Sequence, residues 1–284
     1  MARALRVEYP GAFYHVYSRG IARDPIFSSD LHKRLFLNIL GKAAGRYRLN
    51  VHGYCMMSNH YHLLLETPDG NLSLAMRQLH GVYGQTYNRL LKRPGPVFQG
   101  RFKACVVDAD SYLLTLCRYI VLNPVRAKIV PTAEQWQWSS HRALAGLAPV
   151  PAWLTTATVL GMLGGRLGKA ARQRYRDFIV EGQEGKRERD LEGMMRKVIL
   201  GTAEFRQKLS DLLEEKRQMK EVPKRQRFEG RPDLTLLFGK PMRKKERDRK
   251  IMEAHLEHGY TQKAIADMLG MHYATISRIV KNAE

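Results

Sequence analysis

Two histidines one residue apart, His60 and His62, open the run HYHLLLET. In an extended strand, residues i and i+2 point to the same face. The two imidazoles therefore project side by side, with Tyr61 on the opposite face. Neutral imidazoles so placed form a pair of metal ligands, although a bare H-x-H also suits a polar edge pair facing water. A second constellation lies in CRYIVLNPVRAKIV. On a helix, Tyr119 and Asn123 stand four apart and share a face. Tyr119 carries a phenol, a nucleophile once its proton leaves or its target is polarised. Asn123 offers a hard amide oxygen, and Pro124 beside it also suits it to ending a helix. Two imidazoles and one amide oxygen leave coordination positions open, as a metal acting on a phosphate oxygen requires. A nearby cation also favours the oxyanion of a phenol whose ordinary pKa is ~10. Cys55, on the preceding strand, is the rival ligand through zinc, but a thiolate favours a closed structural site.

The elements that must position these groups follow from periodicity. AFYHVYSRG (12–20) alternates and reads as a strand. Ser28 or Ser29 then caps a helix over 30–47, with Leu31, Leu35, Phe36 and Ile39 at helical spacing. Strands follow at 49–57 and 60–67, joined by the turn signal Ser58-Asn59. The amphipathic stretch 71–93 reads as a helix, 97–108 as a fourth strand, and 111–122 as a helix ending at Asn123-Pro124. The order βαββαβ predicts an α+β fold, a ferredoxin-like antiparallel sheet with helices on one face. The other face is left for a ligand or for the added helix.

Composition narrows the partners. The chain of 284 residues carries 48 Lys and Arg against 27 Asp and Glu, a formal charge of +21. Self-repulsion on that scale points to a polyanion, with nucleic acid ahead of a membrane surface. No apolar run is long enough to span a bilayer, and the N-terminal stretch has no signal-type apolar core. Three scattered cysteines argue for a reducing compartment, hence a cytoplasmic, nucleoid-associated protein. Basic and aromatic residues interleave at Arg19, Arg46, Tyr47, Arg48, Arg101, Lys103 and Arg126, a pattern that suits single-stranded nucleic acid. Three segments are expected: a first domain at 1–145, a helical extension with charged linkers at 146–240, and a last domain at 241–284. Within the middle segment, 182–190 and 214–232 read as solvated linkers. The stretch from Glu134 to Leu154 reads as an irregular wrap over the first domain.

SNHYHLLLETP and RYIVLNPVRA together resemble the single-tyrosine HUH transposases, and among them the REP-associated tyrosine transposases. YPGAFYHVYSRGI and FQGRFKA resemble the same group. The likeness spans about residues 3 to 145. It implies His60 and His62 as the metal-binding pair, Asn123 as the third ligand and Tyr119 as the nucleophile. Many relatives carry glutamine where Asn123 stands. It implies Mg²⁺ or Mn²⁺ and a 5′-phosphotyrosine intermediate on single-stranded DNA. It also implies a hairpin-bearing substrate and a monomer rather than a dimer.

The last forty residues carry a separate signal. TQKAIADMLGMHYATISRIVKN (261–282) has helix-turn-helix spacing: a Thr261 cap, apolar Ile265, Met268 and Leu269, Gly270 at the turn, then Ile276 and Ile279. His272, Tyr273, Ser277 and Arg278 would face the major groove of duplex DNA. The stretch is similar to the DnaA-like module appended to some REP-associated transposases. The competing function is a non-catalytic regulator that binds single strands or hairpins by stacking alone.

Overall fold

The computed structural model describes residues 7–164, 167–184, 198–210, 232–239, 242–258 and 260–281. They fall into two compact units, one within Arg6–Leu209 and one within Ser210–Glu284.

The larger unit is organised by alternation. β1 (Ala12–Arg19) is the central strand. Tyr14 and Val16 point to one face, and Phe13, His15 and Tyr17 to the other. α1 (Asp30–Tyr47) starts where the Ser29 hydroxyl accepts the His32 N–H. It ends at Arg48, whose φ of 52° lets its N–H reach the Ala44 carbonyl. β2 (Asn50–Met56) and β3 (His60–Thr67) form a hairpin around Ser58-Asn59. α2 (Leu72–Leu90) leads through an irregular 91–102 stretch to β4 (Lys103–Val107). Among the described residues one sheet forms, in the order β2-β3-β1-β4-β5. Its first four strands pair antiparallel, as the βαββαβ order demands, because each helical crossover skips one strand.

Two features depart from expectation. The fourth strand is shorter than 97–108, since Gly100 takes φ 75° and the 97–99 stretch meets the end of β1 through an isolated bridge, Gly20 to Phe98. A two-residue strand, β5 (Ile199–Leu200), runs parallel to β4, so the sheet is mixed rather than wholly antiparallel. Helices cover both faces, the added helix taking the one left for it. α1 and α2 pack on the face holding Tyr61, whose ring lies 4.8 Å from that of Phe36. α3 (Ala109–Val121) closes the other, where Leu113, Leu116, Cys117 and Ile120 share a core with Cys55, Leu64 and Cys105. Burying one such side chain is worth about 1.5–3 kcal/mol. Leu31, in the first turn of α1, is 57% exposed and takes no part in the apolar face.

The chain after α3 seals the sheet's β2 edge. A short helix α4 (Asn123–Arg126) follows α3 directly. The Trp136 indole N–H then donates to the Met56 carbonyl, and Met56 N–H to Trp138 O. Ser140 bonds the Tyr54 backbone, and Thr155 N–H reaches Val51 O. A wrap that pairs with an edge strand removes a template for aggregation. α5 (His141–Leu144), α6 (Ala157–Met162) and α7 (Lys169–Glu184) continue it. Val159, Leu160, Tyr175 and Ile179 join the α3 core, so these helices share the first unit's interior. The Arg118 guanidinium lies 4.3 Å from the Phe178 ring centroid and donates to its carbonyl. A Cβ at Gly182 would fall 2.3 Å from the Arg118 Cδ, so glycine lets α7 approach α3 there. Of the two charged stretches, 185–190 and 214–231 lie outside the described residues.

In the smaller unit, helices Leu234–Phe238, Lys244–Met252, Gln262–Leu269 and Tyr273–Lys281 enclose Leu237, Ile251, Ala254, Ile265, Ala266, Ile276 and Val280. Thr261 caps the third of these, its hydroxyl accepting the Ala264 N–H. Gly270 takes φ 61° and turns the chain into the fourth.

Candidate active site

Sheet register builds the floor of the site. On β3, His62 faces Tyr17 of β1 on one side and Cys55 of β2 on the other. His60 faces Arg19. Two residues before Tyr17, His15 points to the same face. The His15 Nε2 lies 2.9 Å from the His62 Nδ1, and the two rings stack at 5.1 Å. The His60 ring sits edge-on to that of His62 at 5.2 Å, and its Nδ1 is 2.7 Å from the Asn59 Oδ1. Tyr61 points the other way, toward Phe36 and His80.

α3 supplies the phenol. Its apolar stripe seats it on the sheet, which swings the last turn over the histidines. The Tyr119 ring meets His62 edge-on at 5.9 Å and His15 at 6.3 Å. Three imidazoles and a phenol thus converge in one chain. Tyr119 is 6% exposed. The Arg126 guanidinium lies over it, its carbon 4.1 Å from the ring centroid, and donates to the Tyr119 carbonyl.

Burial sets the charge state. It lowers the His62 pKa well below the ordinary value, helped by His15, His60 and the Arg126 charge. Burial lowers that of His60 too, with Arg19 adding to it. His15, buried by the same packing, falls to about 3. All three rings are neutral near pH 7, the state that can coordinate a metal. The Nδ1 atoms of His60 and His62 are occupied by Asn59 and His15, which leaves the Nε2 atoms as ligands. Asn123 sits one residue past the C-cap of α3. Its amide nitrogen donates to the carbonyls of Tyr119 at 3.0 Å and Ile120 at 3.5 Å. It therefore does end the helix, and Oδ1 is the atom left for a ligand. Two imidazole nitrogens and one amide oxygen are the donor types of an open divalent site. Among the described residues no group of three or more His, Cys, Asp or Glu is arranged to hold a metal. Cys55 stands beside His62 as the hairpin requires, but complete burial raises its thiol pKa far above the usual range. It packs as an apolar residue.

The basic residues separate into two groups. Around the histidines lie Arg19, whose Nε donates to Gln99 Oε1, and Lys103, 5.7 Å from the Tyr17 ring centroid. Tyr17 in turn stacks on His15 at 5.2 Å. Arg126 completes this group, and Arg101 is exposed two residues before Lys103. Arg46 and Arg48 stand apart, at the end of α1, where β2 starts opposite Glu66 at the far end of β3. Arg48 is paired with Asp69 at 3.7 Å. In the smaller unit the His272 Nδ1 accepts the Ala274 N–H, so that ring caps its helix. Tyr273 and Arg278 are exposed and Ser277 is half-buried. Sequence reasoning missed His15. The only signal for it was its place two residues before Tyr17 on an alternating strand.

Two comparisons with known proteins bear on this part of the chain. Residues 9–123 match the family described as "Transposase IS200 like". That match runs from β1 to the start of α4. A solved structure described as "Structure of the REP associates tyrosine transposase bound to a REP hairpin" is 17% identical, with a TM-score of 0.45. The alignment covers 59% of this chain and 99% of that one. No curated protein matches the chain. Among the described residues no helix is long and apolar enough to cross a membrane.

Proposed function

We propose that this chain cleaves and rejoins single-stranded DNA at hairpin sites, with Tyr119 as nucleophile and a covalent 5′-phosphotyrosine as intermediate. The observation that carries the reading is the apposition of Tyr119 and His62, 5.9 Å between ring centroids within one chain. A plain binder needs no such pair. The phenol gives up its proton as its oxygen attacks phosphorus, the P–O3′ bond breaks, and the 3′-oxygen takes up a proton to leave as a hydroxyl. Reversal by a new 3′-hydroxyl rejoins the strand with no outside energy source. His60, His62 and the Asn123 Oδ1 would hold a divalent cation, and two nitrogen ligands suit Mn²⁺ better than Mg²⁺. When bound, such an ion draws charge from a nonbridging phosphate oxygen and orients the scissile bond.

The chain's own residues supply the rest. Arg126, beside the phenol, favours its oxyanion and offers a phosphate a fork of donors. A phosphate reaches Tyr119 when that guanidinium turns off the ring. Lys103, Arg101 and Arg19 provide backbone charge, and Tyr17 a ring for stacking. The hairpin as substrate rests on the resemblance carried by SNHYHLLLETP and RYIVLNPVRA. That Tyr119 meets the histidines of its own chain supports a monomer as the working unit. In the smaller unit, Tyr273, Ser277 and Arg278 would meet duplex DNA.

One observation favours the rival reading of a non-catalytic binder: Tyr119 is covered in this conformation. Incubation with hairpin-bearing single strands and Mn²⁺ decides between them. A denaturant-resistant adduct, absent in Tyr119→Phe, is expected. Tight binding with no adduct across several hairpins would leave the binder.

A further inference from the structure

The His15–His62 contact does more than fill space. An imidazole that ligates through Nε2 must carry its proton on Nδ1. The Nδ1 of His62 has the His15 Nε2 as its partner at 2.9 Å. We propose that His15 is a positioning residue: it accepts the His62 Nδ1–H and so fixes the tautomer and ring angle that aim His62 Nε2 at a divalent cation. This rests on the metal-dependent reading given above and deepens it.

Four observations support the assignment. The two rings are nearly parallel, 8° apart, which is the packing expected of paired strands holding both side chains on one face. His15 is 1% exposed, so water does not compete for its Nε2. Its other nitrogen, Nδ1, has no hydrogen-bond partner among the described residues. An unpaired buried polar atom costs about 1–3 kcal/mol. Leucine or valine would pack there without that cost, so the histidine is explained by what its Nε2 does. Lastly, the Tyr119 ring lies against His15 as well as His62. His60 is oriented in the parallel way by the Asn59 Oδ1, so each imidazole has its own support. Metal-ligating histidines commonly hand their second N–H to such an acceptor, and losing it weakens metal affinity about 10–100-fold.

The substitutions His15→Gln and His15→Met separate hydrogen bonding from packing. The two side chains are alike in length and shape, but only glutamine places an acceptor where Nε2 was. Mn²⁺ affinity, read by electron paramagnetic resonance of the free ion with the full chain, is the measurement. Thermal melting and hairpin binding without metal check that each variant folds. His15→Met should bind Mn²⁺ about 10–100-fold more weakly than wild type. His15→Gln should stay within about threefold of wild type, by the same reasoning about the acceptor. Equal affinity of folded Gln and Met variants would overturn the assignment while leaving the metal site intact. A wild-type chain that binds no Mn²⁺ would instead sink the metal-dependent reading and this inference with it. If His15→Met does not fold, His15→Phe, which keeps a stacked ring without an acceptor, takes its place against His15→Gln.

Discussion

Arg126 sits where a single side chain can control the proposed nucleophile. Its guanidinium lies on the Tyr119 ring and also donates to the backbone that carries it. A cation on a phenol favours the oxyanion, and a planar fork suits a phosphate oxygen pair. Arg126→Ala should slow adduct formation about 10²-fold, in line with removing one donor at developing charge. Arg126→Lys should recover part of the loss by restoring charge without the fork. Single-turnover kinetics on a hairpin strand measures both. Unchanged rates in both variants would place Arg126 outside the chemistry. At this scale the sequence was informative where spacing alone decides. Two imidazoles at i and i+2 had to share a face, and Tyr119 and Asn123 at i and i+4 had to end one helix together. His15 was not legible, because its role depends on which residue of β3 lies diagonally across from it. Register is a property of the paired strands, not of either alone.

At the scale of elements, α3 and the helices behind it govern stability. His141, at the start of α5, is buried with its Nδ1 3.4 Å from the Tyr175 hydroxyl of α7. Burial, aided by the Arg176 charge, lowers its pKa to about 4. Its folded pKa is thus below the unfolded 6.5, so the unfolded chain binds the extra proton first. The stabilisation is complete above pH 6.5 and is lost as pH falls toward 4. The loss from this one group is about 3 kcal/mol at most. His15, His52 and His62, also lowered by burial, act in the same sense. Denaturant melts of wild type and His141→Asn between pH 7 and 4.5 should show a shallower pH slope in the variant. Identical slopes would contradict the burial of that ring. The βαββαβ order was readable from period and turn signals because those are local. Strand β5 was not, since two residues, Ile199 and Leu200, carry no alternation to detect. The added helix was legible, but not whether it or a ligand takes the second face: a sheet face records that it is buried, not what buries it.

At the scale of the molecule, the charge of +21 exceeds what one site can use. Arg46 and Arg48, set at the far end of the sheet, belong to that wider field rather than to the chemistry. In the smaller unit, the exposed Arg278 is expected to meet phosphate or a base edge. Arg278→Ala should weaken duplex binding and lower the slope of log K against log salt by about one. Hairpin cleavage by the same variant should be unchanged. Titrations of duplex affinity over a range of salt would show it, and an unaltered slope would remove Arg278 from the interface. Compact spacing around Thr261 and Gly270 made the helical pair legible, and the observed cap and turn follow it. The inward turn of His272 to cap its own helix was hidden, because a histidine at a helix start serves a cap or a ligand equally well.

The most direct measurement is to trap the protein on a hairpin-bearing single strand with Mn²⁺, digest it with trypsin and locate the nucleotide by mass. The nucleotide should sit on the fragment running from Tyr119 to Arg126, in which Tyr119 is the sole phenol. Attachment to any other tyrosine, Tyr17 above all, or a nicked strand with no protein attached, would contradict the assignment of the nucleophile.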